Sequence, residues 1–202
     1  MRAILLIPVF VLGGCVTLLP EPPPPPRTYV LEAQTVEELE AAPIDAVISI
    51  AEPGGERTLL GADLIWRTGD TIAYVDQTAW SNRAADALQQ MLVETMSRQG
   101  RFRAAVRAGE AQSEYAIRWE ILDFEVREET MTARFSADVR LVGPGRRIIA
   151  SQIITAEAPV SDRSSSVAAN ALARAAREGS ARIGAFASDA AAEAQASAAS
   201  SD

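Results

Sequence analysis

The chain has 202 residues, 48% of them hydrophobic and 23% charged, with a formal net charge of −8. That composition suits one globular domain with its own core, and the acidic balance argues against contact with phosphate backbones, so no nucleic-acid partner is expected. Histidine and lysine are both missing and Cys15 is the only cysteine, which excludes Ser-His-Asp and Cys-His catalysis, a histidine-ligated zinc site, a lysine nucleophile and an internal disulfide.

The chain starts with the single charge of Arg2, an apolar run over residues 3–12 and the string Leu12-Gly13-Gly14-Cys15. A charged start, a short apolar middle and a small-residue cleavage region define a secretory signal, and a cysteine directly after it marks the bacterial lipoprotein variant. The apolar run, interrupted by Pro8, is far shorter than the ~20 residues a membrane span requires. Residues 1–14 are therefore expected to be cleaved between Gly14 and Cys15, whose thiol carries a diacylglyceryl group and whose new amino group carries an N-acyl chain such as palmitate. A cleaved signal without lipid is the main alternative. No other cofactor and no metal is expected. Residues 15–27 follow as a tether in which prolines 22–26 favour a stiff polyproline II spacer.

The folded domain is expected over residues 28–187. Residues 28–31 form a first strand with Tyr29 and Leu31 on one side, and residues 32–42 an acidic, irregular loop. Ile44, Ala46, Ile48 and Ile50 alternate with Asp45, Val47 and Ser49, a half-buried strand broken by Pro53-Gly54-Gly55. Residues 58–60, 64–67 and 71–75 are shorter extended pieces. Ser81 or Asn82 can cap a helix whose apolar stripe is Ala85, Leu88, Met91, Leu92 and Met96, which ends at Arg98 and Gly100. Trp80 is placed to pack on Ala84 or Leu88.

After a short strand at residues 104–107, Tyr115, Ile117, Trp119 and Ile121 line one face of a long strand, and Ala133, Phe135, Ala137, Val139 and Leu141 one face of the next. Gly143-Pro144-Gly145 turns the chain into a third, giving an antiparallel meander with a core side and a solvated side. Ala168, Leu172, Ala175, Gly179, Ile183 and Phe186 mark a second helix over residues 165–187, which Gly179 and Gly184 weaken by about 1 kcal/mol each if exposed. Residues 188–202, rich in alanine and serine, are expected to be frayed or disordered. The fold class is thus α+β: a mixed, largely antiparallel sheet with two main helices packed on one face.

Candidate chemistry is sparse. Asp123, Glu125, Glu128 and Glu129 could supply a carboxylate pair for glycoside hydrolysis, but they sit at a strand end where charge is normally solvated. Tyr115, Trp119 and Phe135 could line a lipid site, with core packing the favoured role.

The order of features resembles the ABC-type transport auxiliary lipoproteins, including the paraquat-inducible protein C type. The resemblance rests on the string ending in Cys15, the proline-rich spacer, Thr28-Tyr29-Val30-Leu31, the strand Ile44–Ile50, Trp80 ahead of the helix with Leu88 and Leu92, the strand pair from Tyr115 to Phe135, and the alanine-rich helix from near Val167. Ala79 stands where the family often carries an arginine. The resemblance implies a non-enzymatic periplasmic domain beside an ABC permease, its ATPase and a substrate-binding protein with mammalian-cell-entry (MCE) domains. Such systems move phospholipid or other hydrophobic molecules between the two membranes. Val16 follows the cysteine in place of an inner-membrane retention aspartate, so the periplasmic face of the outer membrane is the expected location. A regulatory or assembly lipoprotein for another envelope machine, such as a peptidoglycan synthase, is the alternative.

Overall fold

The computed structural model describes residues 25–200. The sheet is organised about its longest strand, β7 (Tyr115–Arg127), in a chain order of β1 (Arg27–Tyr29), β2 (Ile44–Ile50), β3 (Gly54–Gly55), β4 (Asp63–Thr68), β5 (Thr71–Trp80), α1 (Ala84–Gln99), β6 (Phe102–Arg107), β7, β8 (Thr132–Val142), β9 (Ile148–Pro159) and α2 (Ser165–Ala199). One edge of β7 pairs antiparallel with β8, which pairs antiparallel with β9, so the meander forms as the alternation predicts. The other edge is shared: β2 pairs with its start, β3 with its middle and β4 with its end, all parallel. β6 joins parallel to β2, while β5 joins antiparallel to β4 and carries β1. The sheet is mixed and mostly antiparallel, the helices cover one face, and the α+β class is as expected.

The core lies between that face and the helices. Ile117, Trp119, Ile121, Phe135, Val139 and Leu141 point into it and are buried. A register shift between Ile121 and Asp123 leaves Leu122 as an extra residue, 42% exposed. Beyond it the side chains change phase, so Phe124 and Val126 take over the core face. Trp80 stacks on Phe124, with ring centres 5.7 Å apart.

Helix α1 starts later than the Ser81 or Asn82 cap predicts. Arg83 is the N-cap and makes no side-chain capping bond. The orphan N–H groups of Ala84 and Ala85 instead donate to the carbonyls of Gly61 and Leu60, at 2.7 and 3.4 Å. This explains why residues 58–60, expected to be extended, form a turn: the turn brings its carbonyls to the helix start, and Leu59 and Leu60 are buried there. At the far end Gly100 adopts φ 70°, ψ 9°, the left-handed cap.

Helix α2 corrects the expectation of a frayed or disordered segment from residue 188 onward. It runs to Ala199, with Ala187, Ser188, Ala190 and Ala191 buried, and Ser188 Oγ donates to the Gly184 carbonyl at 2.8 Å. Small side chains continue the buried stripe without bulky apolar residues, because the helix lies close enough to its neighbours to need none. Residues 1–24 and 201–202 lie outside the described residues.

Candidate functional site

The acidic cluster is a set of ion pairs on the sheet face away from the helices. Glu125, its side chain only 1% exposed, accepts from Arg67 Nε at 2.7 Å. Asp123 accepts from Arg127 and Arg134, each at 2.9 Å, and Arg134 reaches on to Glu157 at 2.5 Å. Glu128 bonds Thr68 and Arg163, and Glu129 accepts from the Gly69 N–H. These contacts bind the β4–β5 turn to the β7–β8 turn; Glu125 is buried, Asp123 and Glu128 are partly buried and Glu129 is exposed, where the sequence suggested solvated charge throughout. Hydrogen bonding to Glu125 raises the pKa of Arg67 and hydrogen bonding to Asp123 raises that of Arg134. Glu129 is held below the usual carboxylate range by its own N–H and that of Gly69. A general acid at neutral pH needs the opposite shift to that of Glu129, and the contacts of the other three carboxylates hold the strand ends and turns together.

The aromatic candidates belong to the core. Tyr115 meets the edge of Phe102 at 6.0 Å, Trp119 Nε1 donates to the Ala51 carbonyl at 2.8 Å, and Phe135 is fully buried. Among the described residues no group of three or more Cys, Asp or Glu side chains is placed to hold a metal ion, and no helix is long and apolar enough to cross a membrane. Gly14 and Cys15 lie outside the described residues.

What the sequence does not disclose is a groove under the 32–42 loop. Leu31 and Ala33 are buried, and the loop is held to the helices through its backbone. Arg98 Nη1 donates to the carbonyls of Ala33 and Gln34 at 3.1 and 2.6 Å, Arg177 Nε to that of Glu32 at 2.9 Å, and the Leu39 N–H to the Gln99 carbonyl at 3.2 Å. Between loop, α1 and α2 lies a cavity of about 500 Å³, with Val36 and Leu39 on the loop side and Ala181, Arg174 and Arg177 on α2. That volume is within the range of small-molecule sites, about 300–1,000 Å³. Burial lowers the pKa of Arg177, the charge of Arg174 adds to the effect, and the Glu32 carboxylate opposes both. In sequence Arg174 and Arg177 lie one helical turn apart beside the small residues of α2, which places both on one side of the helix but does not point to the loop.

The model of the ABC-type transport auxiliary lipoprotein component family matches residues 29–184. Among solved structures, protein XCC0632 from Xanthomonas campestris is similar with a TM-score of 0.77 at 18% identity, covering 84% of this chain and 99% of that one. An uncharacterized protein follows with a TM-score of 0.65 at 13% identity, covering 81% and 99%. The hypothetical protein CT253 from Chlamydia trachomatis has a TM-score of 0.51 at 10% identity, covering 73% and 98%. At these identities the structures speak to the fold alone. No curated protein matches the chain. The family match spans the sheet and most of α2, from Tyr29 in β1 onward, and its description agrees with the string that ends in Cys15: the chain belongs to the ABC-type transport auxiliary lipoprotein component family.

Proposed function

We propose that the chain is a non-enzymatic periplasmic accessory of an MCE-type ABC transport system, anchored to the outer membrane through lipid on Cys15. The family match over residues 29–184 carries this reading. Cleavage between Gly14 and Cys15 leaves the tether of residues 15–27 to hold the domain clear of the lipid surface, and more than one acyl chain is needed for stable anchoring. The transported cargo is phospholipid or another hydrophobic molecule, and the domain's surface meets the MCE-domain protein rather than performing chemistry. The ion pairs of Asp123, Glu125 and Glu128, and the Gly69 N–H donated to Glu129, support the non-enzymatic reading.

Genetic epistasis tests it. Loss of this chain, of the MCE-domain protein, or of both is expected to give the same sensitivity to detergents. Additive defects in the double deletion would place the chain in a different envelope machine.

A further inference from the structure

The positive charge lining the groove is unevenly neutralised. Arg182 is tied to Glu178 at 2.8 Å. Arg174 and Arg177 make no ion pair among the described residues, in a chain whose net charge is −8. Arg174 Nη2 donates to the Pro159 carbonyl at 3.0 Å and Arg177 Nε to the Glu32 carbonyl at 2.9 Å. A guanidinium has five N–H donors, so both retain unused ones beside the cavity. Partial burial and the charge of the exposed Arg174 both disfavour the Arg177 cation, and an anion bound in the groove would offset both. Glu37, on the loop, also lines the cavity. The lining also has an apolar part, Val36 and Leu39 from the loop with Ala181 and Ala185 from α2. Gln99, 3% exposed, is part of the same lining; its Nε2 donates to the Ala181 carbonyl at 2.9 Å and its Oε1, an acceptor, lies against Gly184, so it offers nothing to an anion.

We propose that this groove binds the anionic head, phosphate or carboxylate, of a single-chain amphiphile, with Arg174 and Arg177 on the head and the chain against Val36, Leu39, Ala181 and Ala185. Two guanidiniums suit the several oxygens of such a head through charge-assisted bonds. A cavity of about 500 Å³ fits one chain or part of one, not a whole two-chain lipid. The inference concerns this groove alone and goes beyond the accessory role: it can fail while that role stands, and the reverse.

The test is titration calorimetry on the full chain held in zwitterionic nanodiscs. The probes are octyl phosphate, octylphosphocholine and inorganic phosphate, with a glutamate-rich peptide as competitor. Octyl phosphate is expected to bind saturably, one per chain, and roughly tenfold or more tighter than either of the other two small probes. Arg174→Gln with Arg177→Gln should weaken it by a similar factor; because these side chains also bond the Pro159 and Glu32 carbonyls, a small fall in Tm is expected alongside. Ala181→Trp keeps both arginines and fills the apolar wall, so it should abolish octyl phosphate binding and leave any weak phosphate binding in place. Equal binding by wild type and the double variant, or no saturable binding at all, would overturn the proposal. Phosphate binding as tightly as octyl phosphate would remove the amphiphile from it. Tighter binding of the peptide would assign the groove to an acidic segment of a partner.

Discussion

Gly179 lies within α2, and a helix-interior glycine replaced by alanine ordinarily gains about 1 kcal/mol. Here the structure predicts the opposite sign. A Cβ on Gly179 would fall 2.2 Å from Phe135 Cδ1 and 2.4 Å from Cε1, where carbon atoms in contact normally sit about 3.5–4.0 Å apart. The Phe135 ring has little room to retreat: it is fully buried and meets Phe124 edge-on at 6.5 Å. Overpacking costs about 1–3 kcal/mol, and a shortfall above 1 Å against a pinned ring belongs at or beyond the upper end of that range. After the helix-propensity gain, Gly179→Ala should destabilise by about 2 kcal/mol, a fall in Tm of about 4–8 °C. The assay is thermal and urea unfolding of wild type, Gly179→Ala, Phe135→Leu and the double variant. In the Phe135→Leu background the alanine should become neutral or stabilising, giving a coupling of opposite sign to the single effect. A higher Tm for Gly179→Ala in the wild-type background would refute the close approach of α2 to the sheet.

Gly184→Ala should be milder, within about 1 kcal/mol of wild type, because its Cβ meets the movable end of Gln99 at 1.9 Å rather than a packed ring; urea midpoints check this. Glu125→Gln removes the charge facing Arg67 and should cost about 1–3 kcal/mol, below the ~3–5 of a fully buried pair because Arg67 remains 30% exposed. Glu114, Glu129 and Asp162 titrate below their ordinary values in the folded chain. Their contribution is therefore complete above the unfolded carboxylate range near about pH 4 and is lost as pH falls through the lowered folded values. Tm should decline on acidification, with a shallower acid limb for Glu129→Gln; an unchanged limb would contradict the Gly69 contact. Cys15→Ser should leave a folded domain that leaves the membrane fraction, and its retention there at high salt would contradict the anchor.

Strands whose side chains alternate cleanly are legible in the sequence alone. Ile44–Ile50 and the meander from Tyr115 onward show their period of two, and Gly100 announces the end of α1. Outside the meander, which strands pair is not legible there. β2, β3 and β4 all lie parallel to β7, a choice set by long-range packing that leaves no local signal. Leu122 shows no sign in sequence that it is the extra residue of a bulge, so the inward turn of Phe124 has no local forewarning. The start of α1 differs from the expected one because backbone carbonyls, invisible to a search for capping side chains, satisfy its first N–H groups. Likewise the end of α2 resembles a tail in sequence because alanine and serine look featureless until a close neighbour buries them. The acidic residues near position 125 stand out as a cluster, but only the folded sheet brings arginines from three strands onto them. The groove requires the loop, α1 and α2 to meet, and no single segment encodes that meeting.

A lipid-anchored auxiliary component working beside an ABC transport system must be recoverable with that system. Affinity capture of the tagged full chain from gently solubilised envelopes, followed by mass spectrometry, tests this most directly. The predicted result is reproducible recovery of an MCE-domain protein with its permease and ATPase. Recovery of a peptidoglycan synthase, with no transporter subunit in repeated preparations, would contradict it.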